Sequence, residues 1–166
     1  MAELWDLYDA SGALSGKTME RGLPTPAGYF HLIVHIWLVA ADGSLLIQQR
    51  NKPGNSTHGF WAPTAGSVTA GEDSRTGAVR ECAEEVGIDL NPESLSFHER
   101  EFIEDFIQDV WIAPWDGDLQ NIRKDPGEVL AVRSVSWSEL MELADAGEFI
   151  PYGDAYFRRL KSALRV

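Results

Sequence analysis

The stretch from Gly66 to Ile88 constrains this chain more tightly than any other part of it. It reads GSVTAGEDSRTGAVRECAEEVGI and fits the spaced pattern G-x5-E-x7-R-E-U-x-E-E-x-G-U, where U is apolar. The fixed positions are Gly66, Glu72, Arg80, Glu81, Glu84, Glu85 and Gly87, and Cys82 and Ile88 fill the apolar slots. Asp73 or Ser74 can N-cap a helix that runs to about Val86 and stops at Gly87, a natural left-handed terminator. Within that helix Glu81, Glu84 and Glu85 fall at i, i+3 and i+4, so the three carboxylates share one face. Val79, Cys82 and Val86 form the neighbouring apolar stripe that faces a core. Clustered carboxylates repel one another unless a cation neutralises them. Hard oxygen ligands suit Mg2+ or Mn2+, and Mg2+ commonly bridges carboxylates to substrate phosphates. Arg80 offsets part of the charge and holds Glu72 or a neighbouring glutamate in place. An isolated E-x-x-E-E is usually a solvated helix face, but Gly66, Glu72 and Arg80 at these spacings mark a metal-site pattern.

The rest of the chain fits one compact enzyme. Its 166 residues suffice for a single core, and the expectation is one domain over residues 1–166, with 1–28 as an N-terminal extension. A net charge of −12 argues against a nucleic-acid polymer as partner. It suits a small anionic substrate only where metal ions and arginines line the site. The longest apolar run, near Ile33–Ala41, is too short to span a membrane. The N-terminal residues lack the basic and apolar regions of a secretory leader, and a single cysteine fits a reducing compartment. The expectation is therefore a cytoplasmic protein without a membrane partner.

Periodicity predicts alternating strands and helices. Leu4–Tyr8 pairs in a short N-terminal hairpin with Lys17–Arg21, with turns at Ser11-Gly12 and Ser15-Gly16. His31–Ala40 and Ser44–Arg50 are strands joined across Asp42-Gly43. Asn51–Gly59 is a polar loop and Phe60–Thr64 is short and extended. Leu95–Glu101, Phe106–Ala113 and Glu128–Ser136 are further strands. Ser138 caps a helix through Ala146, and an amphipathic helix runs from about Tyr152 to Leu164. The order predicts an α/β fold, a mixed sheet covered by helices on both sides. The basic run Arg158, Arg159, Lys161 and Arg165 lies near the last helix's C-terminus, where the helix dipole favours cations.

The Gly66–Ile88 pattern resembles the signature of the Nudix hydrolases at every fixed position. WDLYDASGALSGKTMERG, His31, LLIQQR and GEVLAVRSVSWSEL are similar to the branch that contains isopentenyl-diphosphate isomerase. The resemblance implies the Nudix α/β/α sandwich and a metal-dependent hydrolysis of a phosphoanhydride bond. It implies Mg2+ or Mn2+ held by Glu81, Glu84, Glu85 and the Gly66 carbonyl, with Arg80 orienting the carboxylates and Glu72 close by. The substrate would be a small-molecule diphosphate: a nucleoside diphosphate linked to another moiety, or a related compound. The general base would be a box glutamate or a later acid, with Glu104, Asp105, Asp109 and Glu128 as the later candidates; Glu72, Asp109 and Glu128 are candidates for the base or an additional metal ligand.

Two alternatives stand beside the hydrolase. An isomerase needs a paired acid and base for carbon-bound protons. The family's isomerases place a cysteine ahead of the box helix and two glutamates in a later strand. Here residues 61–66 hold no cysteine, and the aligned strand positions are Ile107 and Asp109. A non-catalytic ligand-binding domain is the other alternative, against which the intact carboxylate set speaks.

For the substrate, Arg50 ends a strand and reaches a phosphate bidentately or remains a plain surface arginine. Phe60 and Trp61 stack on a base or pack in the core. His58 lies in the loop before the box, within reach of an active-site contact. His31 and His35 share one strand face, and a buried, hydrogen-bonded histidine is the expected role. The aromatic-rich Phe106–Trp115 strand serves either the core or a homodimer.

Overall fold

A computed structural model describes residues 2–164. Its sheet is built outward from β3 (His31–Val39), whose HLIVHIWLV run is apolar on both faces. Such a strand is stable only when covered on both sides. It lies parallel to β8 (Phe106–Pro114), in register from His31–Phe106 to Val39–Pro114. The sheet runs β5 (Trp61–Ala62), β4 (Leu45–Arg50), β3, β8, β7 (Ser96–Ile103), with β6 (Thr64–Ser67) on β3 and β9 (Val129–Val135) on β4. Helices close both faces of this sheet, as the hydropathy pattern predicts.

On one face lies α1 (Ser74–Val86), which buries Ala78, Cys82 and Val86 against Val34, Ile36, Ile107 and Trp111. On the other lie α2 (Trp137–Asp145) and α3 (Asp154–Leu164), packing Leu140, Phe157 and Leu160 on Trp37, Ile47 and Val110. Each fully buried side chain of leucine or valine size contributes roughly 1.5–3 kcal/mol relative to exposure. The layers are therefore α/β/α around a mixed sheet.

Local chemistry sets the helix ends. Asp73 caps α1, its carboxylate accepting from the Thr76 N–H at 2.7 Å. Gly87, at φ 69°, turns the chain back so that the Ile88 N–H reaches the Cys82 carbonyl. A Cβ there would also press on Arg123 at 2.8 Å. For α2 the cap is Ser136 rather than Ser138: Ser136 and Glu139 form a reciprocal capping box, which a cap two residues later cannot make. α3 begins at Asp154, two residues beyond the predicted start.

The N-terminal hairpin pairs β1 (Leu4–Tyr8) with β2 (Leu14–Glu20). Ser15-Gly16 is not a turn. It lies inside β2 where the register shifts, with Gly16 at φ 76°. The hairpin is tied to the box by the Gly71 N–H, which donates to Asp6 at 2.7 Å. The basic run of α3 also has more than a dipole role. Arg159 crosses to β7 and pairs with Glu99 at 2.5 Å and with Glu101. Arg165 lies outside the described residues.

Candidate active site

The box helix and β6 bring the signature residues together around Arg80. Its Nε donates to both oxygens of Glu72, at 2.9 and 3.1 Å. Its Nη1 donates to Glu81 at 2.8 Å and to Glu84 at 3.0 Å. Its Nη2 reaches the Ser67 carbonyl at 2.9 Å and Glu72 at 3.0 Å. The planar fork of the guanidinium permits this simultaneous engagement. Burial works against the charge on Arg80, but the carboxylates of Glu72 and Glu81 outweigh it and push its pKa further up. Burial likewise opposes ionisation of Glu72, yet hydrogen bonds from Arg80 and Thr69 win and hold its pKa low.

Glu81 and Glu85 differ from Glu72. Both are buried, 9% and 5% exposed, whereas Glu84 faces outward. Burial pushes the Glu81 carboxyl up, with Arg80 opposing. Glu85 is pushed up to about 7, first by burial and then by the charge of Glu81, against the hydrogen bond from Gln48. Gln48 Nε2 donates to Glu85 at 2.6 Å, and the Ala65 N–H approaches the same oxygen at 3.3 Å. Gln48 is itself fully buried and is met by the Thr64 hydroxyl at 3.4 Å. The Glu81 carboxylate lies against the backbone of Gly66, so that a Cβ at Gly66 would stand 2.0 Å from Glu81 Cδ.

These residues fit a hard divalent cation. Two buried carboxylates with raised pKa values are anionic charge that the protein alone compensates poorly. Gly66 leaves its backbone bare beside one of them. Among the described residues no group of three or more histidines, cysteines or acids is already gathered as ligands. Arg80 bridges Glu81 and Glu84, and Gln48 holds Glu85.

Gly66 also lines an open pocket of about 540 Å³ between the sheet and the Ile150–Tyr156 segment. Arg21, Arg50 and Lys52 line it, together with His35 and Tyr152. Burial lowers the Lys52 pKa, with Glu85 opposing. The cationic wall and the buried acids thus meet at one glycine.

The NUDIX domain family matches residues 29–155. The chain belongs to the Nudix family. An uncharacterized Nudix hydrolase of Listeria monocytogenes is 35% identical over 151 residues, covering 90% of this chain and 89% of that protein. An isopentenyl-diphosphate Delta-isomerase of Shigella flexneri is 29% identical over 87 residues, 52% of this chain and 48% of that protein. A crystal structure from Deinococcus radiodurans superimposes with a TM-score of 0.74 at 19% identity, covering 98% of both chains, which shows the shared fold. This Nudix chain is accordingly a hydrolase of pyrophosphate-type bonds with small-molecule substrates.

The structure separates the remaining sequence candidates. Arg50 lines the pocket, its Nε donating to the Thr57 hydroxyl at 3.3 Å. Trp61 lies in the core with Phe149 and beneath the Arg133 guanidinium, away from the pocket lining, because β5 pairing turns its ring inward. Phe60 is half-buried beside it and is likewise absent from the lining. His58 is exposed and accepts from the Lys52 N–H at 3.1 Å, a contact that shapes the loop.

Asp109 shares the strand face of Ile107 and Trp111, opposite the pocket residue Gln108. Arg100 grips it bidentately at 2.6 and 2.7 Å, which occupies both oxygens. Glu104 and Asp105 form the exposed β7–β8 turn, Glu104 at φ 49°. Glu128 pairs with Lys52 at the pocket wall. His31 stacks on Trp5 at 4.5 Å and meets the Thr25 hydroxyl, while His35 is buried against Tyr156. Cys82 is fully buried, and burial pushes its thiol pKa up, so it supplies no thiolate to an isomerase.

Sequence reasoning missed Gln48, Lys52 and Arg21. Gln48 carried a signal: it is a polar residue in the phase of Leu46, directly after the apolar Leu45–Ile47 run of β4. Lys52 and Arg21 lie in separate loops, and only folding brings them to Gly66.

Proposed function

We propose that this chain hydrolyses the phosphoanhydride bond of a nucleoside diphosphate linked to another moiety, or of a related diphosphate. Mg2+ or Mn2+ would be held by Glu81, Glu84, Glu85 and the Gly66 carbonyl. When bound, the cation would screen phosphate oxygens and favour ionisation of an attacking water. Arg80 positions Glu81 and Glu84, and Gln48 positions Glu85. Arg21, Arg50 and Lys52 draw the diphosphate to the Gly66 rim. Glu72 spends its lone pairs on Arg80 and Thr69, which makes it a positioning residue. Of the later acids, Glu128 is the one paired with a pocket cation, and it is the candidate for the base or an additional ligand. In the reaction a water oxygen bonds to phosphorus, the bridging P–O bond breaks, and the leaving phosphate departs with the electron pair.

The observation that carries this reading is the meeting of two buried acids and three cations at Gly66. The test is product chromatography with Mg2+ or Mn2+ across nucleotide sugars, dinucleotides, triphosphates and isopentenyl diphosphate, with Glu85→Gln alongside. The expected result is metal-dependent cleavage between phosphates, reduced at least about a hundredfold in the variant. No cleavage of any compound, or isomerised isopentenyl diphosphate, overturns it.

A further inference from the structure

Glu72 is the one glutamate of the Gly66–Ile88 signature that lies on neither a strand nor a helix. It sits in the loop between β6 and α1, yet it meets Arg80 through three hydrogen bonds. The amide hydrogens of this loop show what holds it. The Thr69 N–H donates to the Glu72 carboxylate at 3.1 Å, and the Glu72 N–H donates to the Thr69 carbonyl at 3.1 Å. Those two bonds close the loop on itself. The other two amides reach the N-terminal hairpin. The Ala70 N–H donates to the Leu4 carbonyl at 2.8 Å, and the Gly71 N–H donates to Asp6 Oδ2 at 2.7 Å. A short bond to a carboxylate is stronger than a neutral one. The hairpin is itself fixed to the sheet. Tyr8 and Phe30 exchange both backbone bonds, at 2.8 and 3.0 Å, and Trp5 stacks on His31. It lies outside the 29–155 segment that matches the NUDIX domain.

We propose that Asp6 is a positioning residue of the carboxylate site, acting through Gly71 and Glu72 on Arg80, a role that rests on the metal-site reading for what those carboxylates hold. The contacts are continuous. Asp6 anchors Gly71 at the loop's turn, and the loop sets where the Glu72 carboxylate stands. Glu72 takes Nε and Nη2 of Arg80, which fixes the plane of the guanidinium. Nη1 is then left to bridge Glu81 and Glu84, at 2.8 and 3.0 Å. Without Asp6 the Gly71 N–H turns to water, and the loop keeps only its Leu4 tether. A glycine loop with one tether samples more positions, so Glu72 meets Arg80 for less of the time. Partners that orient a ligating carboxylate tune metal affinity without touching the metal.

The test reads Arg80 itself, in metal-free protein, by NMR measurement of how fast its Nε–H exchanges with water. In wild type this proton is expected to exchange at least about tenfold more slowly than that of the exposed Arg158. Asp6→Ala is expected to speed Arg80 exchange about threefold or more, and to weaken Mn2+ binding in calorimetry by a similar factor. Asp6→Asn keeps an oxygen for the Gly71 N–H and is expected to restore both to within about twofold of wild type. In a Glu72→Ala background, adding Asp6→Ala is expected to change neither, because the effect runs through Glu72. Should Asp6→Ala fold poorly, Asp6→Val replaces it, a strand-favouring residue that cannot accept. Arg80 exchange that is fast in wild type, unchanged by Asp6→Ala or sped equally by Asp6→Asn overturns the proposal. So does a further loss in the Glu72→Ala background, or Mn2+ binding that Asp6→Ala leaves intact. Wild type that binds no Mn2+ defeats the metal-site reading alone, because the Arg80 signal is read without metal and still decides whether Asp6 braces the carboxylates.

Discussion

Glu85→Gln is expected to make the metal-free protein more stable while removing its activity. At pH 8 Glu85 is ionised in both folded and unfolded chains. Its folded pKa of about 7 lies above the reference value of 4.5. A folded pKa raised in this way favours folding fully below the unfolded value and loses that contribution as pH rises through the folded one. The interval corresponds to on the order of 3 kcal/mol, the destabilisation that ionised Glu85 imposes above pH 7. Glutamine keeps a carbonyl oxygen for Gln48 and the Ala65 N–H but carries no charge. In chelator at pH 8 the variant should gain about 1–3 kcal/mol, a rise of several degrees in Tm. Near pH 4.5, where folded Glu85 is protonated, the difference should vanish. Thermal unfolding of both proteins across this pH range is the check, and a variant less stable than wild type at pH 8 would contradict the assigned cause.

The second large effect belongs to Gly66→Ala. No positive φ demands glycine here; the obstacle is the Glu81 carboxylate, 2.0 Å from the added methyl at Cδ and 2.2 Å at each oxygen. Glu81 is held by Arg80 and walled in by the core, so it cannot swing away without breaking the 2.8 Å bond. The expected cost is about 1–3 kcal/mol of stability from overpacking, with activity down at least about a hundredfold. The interaction is pairwise, so the double variant Gly66→Ala/Glu81→Ala should recover most of the lost stability and none of the activity. Denaturant titrations of the two single variants and the double one give the coupling. Additive losses would show that the methyl meets something other than Glu81.

How much of this was legible before folding follows from the range over which each signal acts. The α1 helix and its glycine stop were readable because caps and helical phase are local. So was the common face of Glu81, Glu84 and Glu85. The β3–β4 turn at Asp42-Gly43 was readable for the same reason. Its consequence was not: β3 and β4 pair only at Leu38–Leu46 and Val39–Leu45, after which β6 takes that edge of β3 and β5 that edge of β4. A strand's sequence states its two faces, not its neighbours.

The cap of α2 was a missed local signal, since Ser136 with Glu139 spells the capping box that Ser138 lacks. Trp61 and Asp109 show the other limit. An aromatic beside the box, and an acid on a central strand, look functional in one dimension. Burial then assigns Trp61 to the core and Arg100 to Asp109 as its partner. Of the cationic wall, Arg50 was readable as the arginine that ends a strand, whereas Lys52 in the following loop and Arg21 after β2 join it only through the fold.

The central claim is that Glu81, Glu84, Glu85 and Gly66 form a divalent-cation site and not merely an acidic helix face. Calorimetric titration of Mn2+ into wild type and Glu85→Gln at pH 8 tests it most directly, free of any assumption about substrate. The account predicts saturable binding to wild type, weakened at least about tenfold in the variant. Equal binding by the two proteins, or none by wild type, would contradict it.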